Sequence, residues 1–169
     1  DTGIWVQHIS ETVSTRPTFW DTTVTNSMYR GVMVEQTNRS NFISPLNAIF
    51  ENLEVRGSGG PGAKTPGLCY HAIGVNTSGI DITDSRAIDN VCNGFKAYMI
   101  DSATIVDNLT IVNSGNPVST SNNDRAGLFM RSASWASQFR NISVTGSPGN
   151  GIHLSKASLQ GHTWSAFNN

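Results

Sequence analysis

The chain has 169 residues, of which serine, threonine, asparagine and glycine supply 69, whereas Asp, Glu, Lys and Arg supply only 14%. Because helices usually solvate their outer faces with Glu, Lys and Arg, this composition excludes a helical bundle and predicts an all-β fold with many short strands. A net charge of -1 with scattered signs disfavours a nucleic-acid partner, and no apolar run reaches the ~18 residues of a membrane-spanning helix. No metal or cofactor motif stands out, so we expect none of these partners.

Two short motifs alternate along the chain and predict successive strands and turns. A glycine followed by apolar residues at alternate positions predicts a strand, and its six copies are Gly3–Val6, Gly31–Val34, Gly67–Tyr70, Gly94–Ala97, Gly127–Met130 and Gly151–Leu154. Between them, Val or Ile followed by any residue, then by Asn, Gly or Asp, and then by Ser predicts a strand that ends in a sharp turn. The five copies of this turn motif are Val24–Ser27, Val55–Ser58, Ile82–Ser85, Ile111–Ser114 and Val144–Ser147.

A third pattern precedes the turn motif and places large apolar residues and asparagines in columns. It occurs at Phe50–Leu53, Val106–Leu109 and Phe139–Ile142, with a looser copy at Phe19–Thr22. Like residues at a period of about 30 positions indicate that successive repeats lie directly on one another, with parallel strands paired between them. The sequence therefore predicts an all-β, single-stranded parallel β-helix of about five to six coils that spans residues 1–169 as one domain. A β-sandwich is the alternative, but sandwiches lack a residue-by-residue repeat.

These stacked motifs resemble the right-handed β-helix of the pectate-lyase-like superfamily, which includes pectin-degrading enzymes and phage tailspikes. The stretch Asn76–Asp81 is similar to the Asn-Thr-Asp-Gly-Ile-Asp of polygalacturonases, but Ser78 replaces the catalytic aspartate. The chain therefore resembles tailspikes more than polygalacturonases. This resemblance implies an extracellular or virion protein that binds a polysaccharide and leaves open whether it also depolymerises it. Two alternatives remain, a structural or adhesin solenoid without activity and a fragment of a larger polysaccharide lyase or glycoside hydrolase.

Both ends of the predicted stack are open. Gly3–Val6 reads as the second strand of a coil that lacks its first strand, and residues 159–169 begin a further coil. Open ends expose apolar side chains and unpaired strand edges, which proteins normally cover. We therefore expect the chain to be a segment of a longer solenoid or to be capped by other subunits, and analogy with tailspikes suggests a homotrimer.

The outer face of the glycine-motif strands is predicted to bind the polysaccharide. Alternate residues of a strand face opposite sides, so the second and fourth residues after each glycine point outward. Aromatic rings stack on sugar rings and cations bind carboxylates, so we expect substrate contacts from Trp5, Glu35, Lys96, Phe129 and His153. The first outward column reads Trp5, Met33, Cys69, Lys96, Phe129 and His153, and the second reads Gln7, Glu35, His71, Tyr98, Arg131 and Ser155.

Glu54 and Asp81 are candidate catalytic residues for glycoside hydrolysis. The turn motifs place their backbones on neighbouring coils, about 4.8 Å apart. Hydrolysis needs one carboxyl group to protonate the leaving oxygen and another to act as nucleophile or to position water. The alternative is that Glu54 is neutralised by Arg56 and that Asp81 is only solvated.

A second candidate chemistry is β-elimination of a uronic acid polymer. His71, Tyr98 and Arg131 are consecutive in the second outward column, with Lys96 adjacent. Elimination requires a base, an acid and a cation that stabilises the enolate-like carboxylate, roles that these side chains can fill. The alternative is a mixed polar surface that binds a ligand or only water.

The two cysteines are predicted to stay unpaired. The glycine motifs place Cys69 and Cys92 about four residues apart along neighbouring strands, or roughly 13 Å. A disulfide needs Cα atoms within about 7 Å of each other.

Overall fold

A computed structural model describes nine stretches of the chain: residues 2–8, 16–36, 48–59, 70–76, 79–98, 104–117, 125–131, 137–155 and 164–167. In these stretches the protein is all-β, and its elements are fifteen short strands with no helix long or apolar enough to cross a membrane. The strands are β1 (Ile4–His8), β2 (Thr18–Trp20), β3 (Thr23–Thr25), β4 (Val32–Gln36), β5 (Ile49–Glu51), β6 (Glu54–Arg56), β7 (Ile73–Asn76), β8 (Asp81–Ile88), β9 (Phe95–Tyr98), β10 (Ile105–Val112), β11 (Leu128–Arg131), β12 (Gln138–Arg140), β13 (Ile142–Thr145), β14 (Ile152–Ser155) and β15 (Trp164–Phe167).

The strands form two parallel sheets. Sheet A has the order β1-β4-β7-β9-β11-β14, and sheet B has the order β15-β13-β10-β8-β5-β2, with β3 beside β6, β6 beside β8 and β12 beside β10. The chain alternates between the sheets, giving one strand to sheet A and then one or two strands to sheet B. We call each such unit a repeat. Each strand therefore pairs in parallel with the equivalent strand of at least one neighbouring repeat, which confirms the predicted parallel pairing between repeats.

Sheet B bends at a column of left-handed residues, which we call the first corner. Its members have φ between 46° and 55°, a conformation that Asn and Asp accept more readily than other side chains. Asn52 Nδ2 donates to Asp21 Oδ1 at 2.7 Å, and Asn108 Nδ2 donates to Asp84 Oδ1 at 2.7 Å. These bonds join neighbouring repeats at the bend. The first corner consists of Asp21, Asn52, Asp84, Asn108 and Asn141.

A second corner ends the strands of sheet B. It holds Asn26, Gly57, Asp89, Asn113 and Gly146, all with positive φ. A side chain at Gly57 or Gly146 would also collide with the asparagine stacked on it, so both the backbone and the neighbouring repeat require glycine there. The next residue in each repeat points inward and is small and polar: Ser27, Ser58, Asn90, Ser114 and Ser147.

These inward polar residues hydrogen-bond from repeat to repeat. Ser58 N donates to Asn90 Oδ1 at 2.9 Å, and Ser27 N donates to Ser58 Oγ at 3.2 Å. Ser58 and Asn90 are almost fully buried, so the bonds offset the cost of removing polar groups from water.

The apolar core lies between the sheets and takes alternate residues from both. Phe95 of sheet A and Phe139 of sheet B are fully buried, with ring centroids 6.3 Å apart. Phe19 stacks on Phe50 of the next repeat at 4.8 Å. Each fully buried side chain of this size stabilises the fold by roughly 1.5–3 kcal/mol, so the stacked core is the main source of stability.

One buried amide lies where the chain enters sheet A. Asn93 is fully buried, and its Nδ2 donates to the Ala126 carbonyl of the next repeat at 2.6 Å. The following residue, Gly94, donates its backbone N–H to the Gly127 carbonyl at 2.8 Å. At the equivalent place two repeats later, Asn150 is exposed and Gly151 follows it.

Two motif copies were placed in the wrong register. The third strand of sheet A is β7, and Ala72, not Gly67, precedes it; residues 60–69 lie outside the described stretches. In sheet B, Ile82–Ser85 contains a first-corner residue, whereas the second corner of that repeat is Asp89. The error arose because both corners combine a strand residue with Asn or Asp, and only strand pairing distinguishes them.

The prediction of unpaired cysteines is wrong. Cys92 is fully buried and disulfide-bonded, and the chain contains two cysteines in all. The misplaced third strand explains the error, because Ile73 pairs with Phe95 and so Tyr70 occupies the position equivalent to Cys92. The other cysteine, Cys69, lies outside the described residues.

Candidate functional site

The outer face of sheet A carries most of the predicted first column. Parallel pairing aligns Trp5 with Met33, Lys96 with Phe129, and Phe129 with His153, which confirms these neighbours. Gly74 occupies the third place, where Cys69 was predicted. In the second column Tyr98 pairs with Arg131 and Gln7 with Glu35, also as predicted.

This face is less accessible than the sequence suggested. Phe129 is fully buried and Lys96 is 8% exposed, whereas Trp5 is 58% exposed. Lys96 Nζ lies 5.4 Å from the Tyr98 ring centroid and 5.7 Å from that of Phe129, within range of cation–π attraction. The Phe129 ring also meets the His153 ring edge-on at 5.2 Å. The side chains in the middle of the column therefore pack on one another and offer little surface to a polymer.

The edge of the same face is more open. Trp5 Nε1 donates to Glu35 Oε1 at 3.1 Å, which fixes the exposed indole against the neighbouring strand. Arg131 is exposed, and Tyr98 and His153 are half-buried. These residues remain accessible, but they border buried ones and do not line a described pocket.

His71 lies on this face but outside the predicted column. It precedes β7, and its imidazole covers Gly74, with Nε2 3.5 Å from Met33 Sδ. Its burial, together with the positive charges of Lys96 and Arg30, lowers the pKa of His71 to about 3.

The predicted elimination triad is therefore not assembled as a column. Tyr98 and Arg131 are neighbours, but His71 precedes its strand and is not in register with them. A neutral histidine that is 8% exposed fills the space above Gly74 and is poorly placed to take a proton from a bound polymer.

The predicted carboxylate pair on sheet B is also not formed. Asp81 pairs in register with Ile49 and Ile105, whereas Glu54 pairs with Arg86. Glu54 is therefore level with a position five residues after Asp81, and the first corner at Asp84 lies between the two positions. The prediction that Glu54 and Asp81 are neighbours is therefore wrong.

Each of these two carboxylates has an arginine partner instead. Glu54 bonds Arg86 Nε at 2.9 Å and Arg56 Nε at 3.2 Å, which confirms the alternative that Arg56 neutralises it. Asp81 forms an ion pair with Arg16. Carboxylates held in this way serve as surface ion pairs, which contribute at most about 1 kcal/mol each to stability.

An open groove of about 560 Å³ lies on the outer surface of sheet B, beside the first corner. The indole of Trp20, which is 66% exposed, forms one part of its wall. The rest of its lining is polar and mostly acidic: Asp21, Glu51, Asn52 and Asp84. The groove thus combines a flat apolar ring with several hydrogen-bond acceptors.

The local fold explains why these side chains meet. Trp20 and Glu51 are register partners on β2 and β5 and point away from the core, since Phe19 and Phe50 beside them point inward. The first corner follows directly after both strands. Because corner residues of successive repeats stack, Asp21, Asn52 and Asp84 form the second wall.

The groove was not among the predicted sites, although the sequence contains a signal for it. In the third motif, one residue lies between the large apolar residue and the corner residue, and strand alternation makes that residue point outward. Applied to Phe19–Thr22 and Phe50–Leu53, this rule places Trp20 and Glu51 side by side. That Asp84 lies beside Asp21 and Asn52 could not be predicted, because the motif register assigned it to the wrong corner.

No group of three or more His, Cys, Asp or Glu side chains in the described stretches could hold a metal ion. Comparisons of the chain with protein-family models, with curated proteins and with solved structures found no match.

Proposed function

We propose that the chain is a parallel β-helix that binds a polysaccharide on its outer surface, with the Trp20 groove as the principal contact. The observation that carries this proposal is the exposed indole beside a polar groove, on a face built from stacked parallel strands. Depolymerisation, which the tailspike resemblance leaves open, is tested at the same groove.

The register of the strands supports the β-helix. Each of the first five repeats enters sheet A, passes to sheet B, bends at the first corner and leaves at the second corner, in the same order. Coils of a solenoid are the simplest path that lets one chain add a strand to both sheets in every repeat. Core residues from both sheets face each other, as the inside of such a coil requires.

The lining of the groove supports a carbohydrate ligand. Sugar rings present apolar C–H faces that stack on indole, while their hydroxyl groups donate hydrogen bonds to carboxylates and amides. Trp20 supplies the ring, and Glu51, Asn52 and Asp84 supply the acceptors. A groove of this volume is large enough for several sugar units, and an open groove lets a long polymer pass through.

A buried disulfide supports a location outside the cytosol. Disulfides persist in oxidising surroundings such as the cell exterior or the surface of a virion, and they are rare in reducing compartments. Cys92 is disulfide-bonded and fully buried. An extracellular or virion location is therefore part of the proposal.

The test is binding to a panel of polysaccharides by affinity electrophoresis and calorimetry. Trp20→Ala is expected to weaken binding at least about tenfold, because ring stacking on an exposed indole supplies roughly that much affinity. Trp5→Ala is the matched control, since its indole is similarly exposed but lies on sheet A. No binding to any polymer, or equal losses in the two variants, would contradict the proposal.

The same panel separates binding from cleavage. Hydrolysis and elimination both release a reducing end, but only elimination also leaves an unsaturated end that absorbs ultraviolet light. If the groove hydrolyses its ligand, Glu51→Gln is expected to abolish reducing-end release while binding persists, because hydrolysis needs a carboxyl group that can exchange a proton. Binding without either product would identify the chain as an adhesin or a structural solenoid.

A further inference from the structure

The charge of the Trp20 groove bears on which polysaccharide it accepts. Of the five lining residues in the described stretches, three are carboxylic acids, one is an amide and one is an indole, and none of these five is Lys or Arg. Sugar polymers differ mainly in hydroxyl geometry and in charge, so an acidic lining discriminates strongly between charge classes.

The hydrogen-bond partners of these carboxylates leave their charge in place. Asp21 accepts from the side-chain amide of Asn52, and Asp84 accepts from that of Asn108, both at 2.7 Å. An amide is neutral, so neither bond cancels the negative charge of the carboxylate that accepts it. Glu51 is exposed and adds a third negative charge.

Arg140 of sheet B donates to the side-chain carbonyl of Gln138. Three other arginines that the structure describes at this sheet pair with acids. Arg16 binds Asp81, and Arg86 binds Glu54. Arg56 binds Glu54 and also Asp89 at 3.1 Å. None of these three acids lines the groove. The groove therefore keeps its negative charge, and salt at physiological strength screens charges across it only in part.

We propose, on the basis of the proposed function, that the Trp20 groove selects polysaccharides without acidic groups and binds those with free amino groups most tightly. A protonated amino sugar can place its ring on Trp20 and its ammonium group against Glu51 or Asp84. A uronic acid or sulfated sugar in the same place brings its anion within a few ångströms of three carboxylates. This reverses the expectation that a cation on sheet A binds the carboxylate of an acidic polymer.

The test compares oligosaccharides of equal length that share a backbone and differ in the charge of one substituent. Chitosan oligomers and their fully N-acetylated forms share one backbone and differ in the amino group. Oligomers of β-1,4-glucose and β-1,4-glucuronate differ in the carboxylate. Calorimetry at low salt is expected to give at least tenfold tighter binding for the amino form than for the acetylated form. The glucuronate is expected to bind at least tenfold more weakly than the glucose oligomer, and high salt is expected to narrow both ratios.

Variants assign this ranking to the groove. Glu51→Gln and Asp84→Asn each remove one charge, and Asn keeps the left-handed backbone of the corner. Both are expected to reduce the preference for the amino form several-fold. Glu54→Gln is the matched control, because it removes a carboxylate of the same sheet that lies outside the groove.

The outcomes distinguish this inference from the proposed function. Tightest binding of the glucuronate, lost in Trp20→Ala, would overturn the charge selection but leave the groove as a polysaccharide site. A charge ranking that Trp20→Ala and Glu51→Gln leave unchanged would overturn the assignment to this groove. If neither the oligomers nor any polymer of the panel binds, both proposals are overturned.

Discussion

At the scale of single residues, Asn and Asp carry the bends of this protein. A left-handed backbone costs most side chains roughly 1 kcal/mol or more, and the short polar side chains of Asn and Asp reduce that cost by local hydrogen bonds. At the first corner the same side chains also bond to the neighbouring repeat. One residue type therefore performs two tasks, which explains why the composition is rich in asparagine although little of the surface is charged.

Two substitutions of Asn108 separate the backbone conformation from the hydrogen bond between repeats. Asn108→Ala loses the bond to Asp84 and places alanine at a φ of 55°, so the free energy of unfolding is expected to fall by roughly 2 kcal/mol. Asn108→Gly keeps the backbone conformation and loses only the bond, so a loss near 1 kcal/mol is expected. Urea unfolding measures both. Equal losses in the two variants would show that the backbone conformation is not a cost.

His71 makes stability depend on pH. The unfolded chain takes up a proton as the pH falls below about 6.5, but the folded chain does so only near its lowered pKa of about 3. The contribution of His71 is therefore fully present above pH 6.5 and declines between pH 6.5 and 3, by up to roughly 4 kcal/mol. Unfolding of wild type and His71→Gln should converge as the pH falls. Parallel curves between pH 7 and 4 would contradict the buried neutral histidine.

At the scale of strands, each position in sheet A is defined by its neighbours in the column. Gly74 has no side chain, and the imidazole of His71 fills the space that a side chain would occupy. Met33 lies on the other side of the imidazole. A residue outside the strand thus completes the outer column of the sheet.

This arrangement predicts a strong coupling between Gly74 and His71. A Cβ at position 74 would overlap the imidazole and approach Met33 Sδ to 2.9 Å, so Gly74→Ala is expected to destabilise the fold by about 1–3 kcal/mol. In a His71→Ala background the overlap with the imidazole is gone and only the flexible end of Met33 has to shift, so Gly74→Ala should destabilise the fold much less. A double-mutant cycle measures the coupling. A coupling energy near zero would mean that the imidazole does not occupy this space.

The sequence predicted the elements better than their register. Alternation after a glycine identified strands such as β4, β9 and β11 because their inward side chains are uniformly apolar. The register failed at β8, an eight-residue strand that runs through the first corner. Both corners there contain aspartate, and no local pattern states which one stacks on Asn52. Strand pairing with the neighbouring repeats determines which aspartate stacks on Asn52. The same pairing determines which acidic side chains line the groove.

At the scale of the whole molecule, repeats differ in length while their corners stay aligned. Thirty-one residues separate Asp21 from Asn52, but only 24 separate Asp84 from Asn108. The burial of Lys96 and Phe129 could not be predicted from such alignment, because the exposure of an outward side chain depends on distant parts of the chain. The alignment of the corners does predict where a whole repeat begins and ends, and therefore which segment can be deleted without shifting the strands.

Deletion of one repeat tests the proposed β-helix. Removing residues 109–141 joins Asn108 to Ile142 and brings β9 beside β14 with apolar residues still facing inward. The shortened chain is expected to keep its β-sheet circular dichroism and to unfold cooperatively at a lower temperature, because each repeat adds its own contribution to stability. Removing residues 109–124 shifts the register and serves as the control. Equal loss of structure in both deletions would argue against stacked repeats.

The hydrogen bonds around Asn93 also determine where the protein undergoes deamidation. An asparagine before glycine deamidates when the glycine nitrogen attacks the side-chain carbonyl carbon and ammonia leaves. At Asn93 the side-chain amide is bonded to Ala126 and the Gly94 nitrogen to Gly127, so neither group is available. Asn150, which also precedes a glycine, is exposed to water. Peptide mapping after prolonged storage at mildly alkaline pH should find deamidation at Asn150 and an intact Asn93. The extent of deamidation at Asn150 would then measure how long the protein has been stored.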